Sequence, residues 1–262
     1  MCQVQVDIAG RMRFLWQLCG VMWLTSLLIF GIVLLPALLV SRKLRELFFV
    51  TSFRVGAFIY ADGMASARRA ALKPLESLVS RDPALKKENA LRVLEIGAGT
   101  GANFEHVTRK IRYTNVDPNP EFGNVFLREL NNYPKIEMER WVQCHGENMD
   151  ELENGEFDVV LFTYLLCSVQ DGRKVLEEAK RVLVKGGHLI FLEHVAYPKG
   201  TWPRLFQSLI TPLWKITCGN CHLQRDSARL IETAGFSQVT THYVYADMCS
   251  ILNYQVYGVA IL

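Results

Sequence analysis

Leu91–Asn103 reads LRVLEIGAGTGAN, and its reading decides the fold. The first half is short and apolar at Leu91, Val93, Leu94 and Ile96, which predicts a buried strand of a parallel sheet. Gly97, Gly99 and Gly101 then alternate with Ala98 and Thr100. Glycine lets a chain turn sharply and lets a ligand approach the main chain. A short helix is expected over Asn103–Lys110, its unpaired N–H groups aimed at the loop. A tight strand–helix turn with no ligand would read the same way, so the loop needs support from the rest of the chain. Dinucleotide sites space their glycines G-x-G-x-x-G. Here the third glycine comes one position earlier and Glu95 stands two residues before the first, which disfavours a nicotinamide cofactor.

The pattern E-x-G-x-G-x-G resembles the first motif of class I S-adenosylmethionine (SAM) methyltransferases. That resemblance implies that Glu95, Gly97, Ala98, Gly99, Thr100, Gly101 and Asn103 surround the amino acid end of SAM. A second strand, Ile111–Val116, ends in Asp117, where an acid can accept both ribose hydroxyls. A helix N-cap or Asx-turn is the plainer role for that residue. Pro118 and Pro120 shape the turn, and Pro118 is counted with the cofactor residues. A helix over Phe122–Asn132 should turn Phe122, Phe126, Leu127 and Leu130 inward.

A third strand, Ile136–Val142, leads to Glu147-Asn148-Met149. SAM methyltransferases read adenine there, with polar groups on the purine edge and a Met on its face. Phe157–Val169, FDVVLFTYLLCSV, is the central fourth strand and its exit. Thr163, Tyr164 and Leu165 should border the transferable methyl at the switch point beside the first strand. A helix over Lys174–Val184 ends at Lys185-Gly186-Gly187. A fifth strand, His188–Val195, ends in Glu193-His194. Ser227–Ala234 is a last helix. Ser237–Tyr245 and Tyr254–Leu262 are two closing strands, expected as an antiparallel pair at the sheet edge.

The N-terminal part has another character. From Leu15 to Val40 there is no charged residue, while Arg11 and Arg13 precede the run and Arg42, Lys43 and Arg45 follow it. About 20 apolar residues suffice to cross a bilayer as a helix. The run exceeds a signal-peptide core and has no small-x-small cleavage site before Arg42. Residues 1–41 are therefore read as a membrane anchor, either spanning or broken into a shallow hairpin at Gly31 and Pro36. The basic flank after the run favours a cytosolic C-terminal part. Residues 42–90 are read as an amphipathic helical connector lying on the membrane surface, over the site or against the sheet. Residues 91–262 are the catalytic domain.

Within it, residues 196–225 exceed what the fold needs and are read as a helical lid over an apolar pocket. They hold Cys218-Gly-Asn-Cys221-His222. One C-x-x-C and a histidine are too few ligands for a closed zinc site, so no metal is assigned; a redox pair, packing or substrate contact are the other roles. Seven scattered cysteines suggest a reducing compartment. The formal charge of +3 gives no broad basic face and disfavours a nucleic-acid partner.

Together these elements describe a Rossmann-like class I methyltransferase: an α/β fold with a mostly parallel seven-stranded sheet, helices on both faces and an N-terminal anchor. In detail the chain resembles the methyltransferase-like 7 group of membrane-anchored alkyl thiol S-methyltransferases. The resemblance rests on LEIGAGTGANF (94–104), DPNP (117–120), GENM (146–149), LCSVQ (166–170), KVLEEAKRVL (174–183), EHV (193–195) and PLWK with Cys221, Leu223 and Arg225. It implies methyl transfer from SAM to the sulfur of small lipophilic thiols. It also implies contact with membrane lipid and residence on the endoplasmic reticulum membrane or lipid droplets. His194 is the candidate base or thiol orienter, with Glu193 or Asp117 as alternatives and a structural histidine as the plain one. A quinone, sterol or lipid acceptor, and a non-catalytic membrane scaffold, remain the competing readings. Nothing in the sequence sets an oligomeric state.

Overall fold

The structure is a computed structural model. It describes the backbone of residues 2–248 and 251–262, and the side chains from residue 15 onward over the same range. Among the described residues four α-helices precede the first strand, α1 (Cys2–Val33), α2 (Leu35–Val40), α3 (Arg42–Leu72) and α4 (Pro83–Lys87), with a 3-10 turn, Lys73–Glu76, after α3. Then follow β1 (Leu91–Ile96), β2 (Ile111–Val116), α5 (Gly123–Leu130), β3 (Ile136–Val142), β4 (Phe157–Thr163), α6 (Gly172–Val182) and β5 (Leu183–His194). The chain closes with α7 (Trp202–Thr217), α8 (Ser227–Glu232), β6 (Gln238–Tyr245) and β7 (Tyr254–Ile261).

The seven strands form one sheet in the order β3-β2-β1-β4-β5-β7-β6. The first five run parallel, and β7 lies antiparallel between β5 and β6. The chain reverses direction across the sheet between β1 and β4, the place where ligands bind in such folds. β1 and β4 are apolar almost throughout because both faces are covered. On one face α6 buries Val175, Leu176, Ala179 and Val182. Its start is fixed by Asp171, whose carboxylate accepts from the Arg173 and Lys174 N–H groups. On the other face Ala67, Ala71 and Leu72 of α3 pack with Phe104, Tyr113 and Phe126. β7 carries Gly258 because a Cβ there would lie 1.9 Å from the Thr240 carbonyl oxygen.

Three local expectations are corrected. The helix expected over Asn103–Lys110 is a single 3-10 turn, Phe104–His106. Its bonds run three residues back, Phe104 N–H to the Gly101 carbonyl and Val107 N–H to that of Phe104. The Phe104 ring is wedged between Tyr113 and Phe126, at 5.5 and 5.1 Å, so core packing sets the turn. Leu127 is 51 % exposed, because α5 starts only at Gly123 and points that face outward. The Lys185-Gly186-Gly187 turn lies inside β5 rather than before it: α6 ends at Val182 and Leu183 already pairs with Phe157.

The apolar N-terminus is broken at Leu34, with Pro36 in the first turn of α2. Ser41 then caps α3, its Oγ accepting from Leu44 N–H. α3 returns along α1: Tyr60 Oη donates to the Gly20 carbonyl at 2.9 Å, and a Cβ on Gly56 would sit 2.9 Å from the Trp23 ring. A Cβ on Gly31 would meet Thr217 at 2.8 Å, so α1 is docked on α7. Among the described residues two helical segments, Leu15–Val33 and Arg42–Glu76, are long and apolar enough to cross a membrane.

Candidate active site

The glycine loop leaves β1 through three left-handed glycines, Gly97 (φ 75°), Gly99 (φ 56°) and Gly101 (φ 82°). Any side chain there would be strained. At Gly97 it would also meet Leu165 at 2.9 Å, so β1 and the exit of β4 touch. Asp117 is buried at the tip of β2. Its Oδ2 accepts from Gly99 N–H at 3.3 Å and its Oδ1 from Asn119 N–H at 2.9 Å. Burial pushes this carboxyl up from its ordinary value, while the Asn119 and Gly99 N–H groups oppose the shift. The Ala98 N–H is held by Asn115 Oδ1 at 3.3 Å. A side-chain-free cradle next to a buried carboxylate suits a ligand with hydroxyls and close main-chain contacts. These residues therefore fit SAM. Thr100 is half-buried in the same loop, and Pro118 is exposed beside Asp117.

Behind the loop lies a buried polar network. Glu95 Oε1 accepts from Asn103 Nδ2 at 2.7 Å, and its Oε2 accepts from the Tyr113 hydroxyl. Arg68 of α3 donates to Asn103 Oδ1 at 2.6 Å and reaches Thr163 Oγ1 at 3.4 Å. Its guanidinium also lies over the Tyr164 ring, 5.2 Å from the centroid. Burial pushes Glu95 up, against the donors from Tyr113 and Asn103. Arg68 carries no mark in the sequence: it is one of two adjacent arginines in the run ASARRAA, and no local pattern separates the buried one. Phe49 and Phe53 belong to the connector segment, for which a place over the site is one of the expected positions. They form a trio with Phe122 at 5.7–6.0 Å, with Phe53 over Gly99.

The three residues expected at the adenine end have three different environments. Met149 is fully buried in the main core rather than on an open face. Its N–H donates to Glu178 Oε2 and its carbonyl accepts from Arg181 Nη2, which draws the turn inward. Glu147 is half-buried, and its Oε1 accepts from the Gln170 and Asp171 N–H groups, tying this loop to the start of α6. Asn148 is exposed.

The other end of the site is formed where β4 and β5 stop. Tyr164 has φ 56° and its hydroxyl donates to Gln255 Oε1 at 3.1 Å. Glu193 Oε1 accepts from the Leu165 and Leu166 N–H groups at 2.8 and 2.9 Å, fixing the turn after β4. Burial pushes the Glu193 carboxyl up to about 7. His194 is buried, its Nε2 lying 3.1 Å from Cys221 Sγ. Cys167 completes a buried trio with them. So Cys221 meets the turn after β4 and the end of β5, while Cys218 packs beside the same cluster. Leu27 of α1, Trp214 and Leu223 wall the trio with apolar surface. A separate cavity of about 290 Å³ lies past the end of β5, lined by Val195, Tyr197, Arg204, Asp226, Tyr243 and Tyr254, away from the glycine loop.

Fold and site define a class I SAM-dependent methyltransferase. A methyltransferase domain family model matches residues 94–191. The fold is shared with a SAM-dependent methyltransferase of Thermotoga maritima described as a possible histamine N-methyltransferase, with a TM-score of 0.58 at 19% identity, covering 81% of this chain and 96% of that one. Human thiol S-methyltransferase TMT1A is 34% identical over 215 residues, 82% of this chain and 84% of that protein. Rat thiol S-methyltransferase TMT1B is 41% identical over 67% of this chain and 74% of its own length. The chain belongs to the family of these proteins, the methyltransferase-like 7 group. It is an enzyme whose methyl donor is SAM.

Proposed function

We propose that this enzyme methylates the sulfur of small lipophilic thiols at a membrane. The observation that carries the reading is the 34% identity to a thiol S-methyltransferase across 84% of that relative's length. The site supports it: an apolar wall of Leu27, Trp214 and Leu223 stands next to the exit of β4. When bound, SAM supplies a methyl group already activated by its sulfonium, so the protein's share is placement.

In this reading the Gly97–Gly101 main chain, with Ala98 and Thr100, holds the amino acid end, and Asp117 accepts the ribose hydroxyls. Pro118 borders that ribose turn. Glu95 and Asn103 act through each other, keeping the loop rigid with Arg68. Glu147 and Asn148 edge the adenine region, and Met149 supports it from the core. Tyr164 and the Leu165–Cys167 turn border the acceptor. His194 orients the acceptor end.

Residues 1–41 serve as the anchor and 42–90 as the connector, of which α3 also covers the glycine loop. Residues 196–225 serve as the lid of the catalytic domain, 91–262. Exposed apolar side chains support a membrane-facing surface, among them Phe30, Val33 and Val40 before α3 and Trp202 and Leu209 on α7. The endoplasmic reticulum membrane, or lipid droplets, is the compartment that the family resemblance implies. The test is formation of S-adenosylhomocysteine by the full chain in lipid nanodiscs with an alkyl thiol as acceptor. Turnover with the thiol is the expected result; turnover only with a quinone or a lipid amine would overturn the reading.

A further inference from the structure

Cys167, His194 and Cys221 come from three separate parts of the chain: the turn after β4, the last residue of β5 and the loop after α7. Their ligand atoms all lie within 4.8 Å of one another. They are 2, 3 and 7% exposed. A tetrahedral ion with bonds of about 2.3 Å to sulfur and 2.0 Å to nitrogen sets its ligand atoms about 3.5–3.8 Å apart. The trio is within a small adjustment of that spacing.

The backbone around the trio is braced. His222 N–H donates to the Cys167 carbonyl at 2.8 Å, and Asn220 Nδ2 donates to that of Ser168 at 2.9 Å. Arg225 Nη1 bonds the carbonyls of Leu166 and Val169, both at 2.6 Å. Val195 N–H, next to His194, donates to the Tyr254 carbonyl at 3.0 Å. Three donors held by independent bonds cannot easily drift apart, which is the preorganisation a metal site needs. His194 turns its Nε2 to Cys221 Sγ at 3.1 Å, so this nitrogen is the ligand atom that the imidazole offers.

We propose that Cys167, His194 and Cys221 hold a divalent cation of the zinc class, and that its open fourth position takes the sulfur of the acceptor. The donor set is two sulfurs and one imidazole, which suits zinc. Among the described residues no fourth His, Cys, Asp or Glu joins the group, the pattern of sites that keep one position for a ligand. The nearby Cys218 thiol instead lies 3.6 Å from Thr217 Oγ1.

The place suits the chemistry. Cys167 is two residues from Leu165, which abuts Gly97 of the cofactor loop, and the trio is walled by Leu27, Trp214 and Leu223. A free thiol is mostly protonated at neutral pH, and metal coordination deprotonates it. The S–H bond breaks, its electron pair forms the sulfur–metal bond, and the proton leaves to water. The thiolate is then generated without a dedicated protein base. The substrate half of this proposal rests on thiol methylation; the metal half does not.

The experiment uses the full chain in nanodiscs, purified without chelators, for metal analysis and cobalt substitution. The expected result is one zinc ion per chain and, with cobalt, the visible bands of a tetrahedral site with sulfur ligands. Those bands should shift on addition of hexanethiol. Cys167→Ser and Cys221→Ser should each lower metal content at least tenfold while SAM binding by calorimetry persists; Cys19→Ser should retain the ion. A folded, SAM-binding wild type without metal overturns the proposal. Metal whose cobalt spectrum ignores hexanethiol overturns its substrate half. A metal-free enzyme that methylates thiols sinks the site and leaves the thiol reading standing; a metal-loaded enzyme that methylates only other acceptors does the reverse.

Discussion

The glycine loop and the Cys167–His194–Cys221 trio stand at neighbouring strand ends, yet the chain builds them in opposite ways. The loop and its acid lie within 27 residues, from Leu91 to Asp117, and local geometry dictates them: an apolar strand, three left-handed glycines, a second strand. The trio spans 55 residues, from Cys167 to Cys221, and needs the whole sheet to close. Its walls reach further back, to Leu27. One end uses main chain and a carboxylate; the other uses sulfur, imidazole and apolar surface. The difference teaches that cofactor chemistry can be carried by a contiguous motif, while acceptor chemistry depends on tertiary placement.

Substitutions at the two ends should therefore separate, and the largest effect falls on the loop. Gly101→Val would place a Cβ 2.4 Å from the Phe104 ring at a φ of 82°. Strain plus overpacking predicts a loss of about 3 kcal/mol or more in chemical denaturation, with SAM binding gone. A stable, SAM-binding variant would break the comparison at its firmest point. Asp117→Ala removes the acceptor of the proposed ribose contact. About 10–100-fold weaker SAM affinity by calorimetry is predicted, since a hydrogen bond to a charged group contributes about 1.5–3 kcal/mol. Undiminished affinity would place the ribose elsewhere.

At the acceptor end, Leu27→Val trims the apolar wall from α1. A loss of about 1 kcal/mol, read as a roughly fivefold higher KM for an alkyl thiol at constant SAM affinity, is expected. If SAM affinity fell instead, the two ends would not be separate. The smallest effect is expected at Ser41→Ala, which removes the α3 cap. Melting should report a loss of about 1 kcal/mol with little change in either affinity.

The same contrast explains what was legible in the sequence. Strand periodicity places β1 to β4 and the closing antiparallel pair nearly to the residue, because apolar runs are local signals, whereas β5 starts five residues before the expected His188, since Leu183 pairs with Phe157 across the sheet. The helix expected after the loop is a single 3-10 turn, because the fit of Phe104 between Tyr113 and Phe126 is a tertiary fact with no local signal. Met149 looked like a ligand contact but is core, since Glu178 and Arg181 pull its turn inward across 29 and 32 residues. Arg68 carries no local mark; its role appears only when α3 lies against Asn103 and Thr163. In the sequence Cys221 groups with Cys218 and His222, whereas its partners in the trio come from the turn after β4 and the end of β5.

The most direct measurement is acceptor-dependent release of S-adenosylhomocysteine by the full chain in nanodiscs, comparing hexanethiol with hexanol at equal concentration. The proposed function predicts turnover with the thiol, matched mole for mole by methyl thioether, and none with the alcohol. Equal inertness toward both, in a chain that binds SAM and turns over a quinone or lipid amine, would contradict the account.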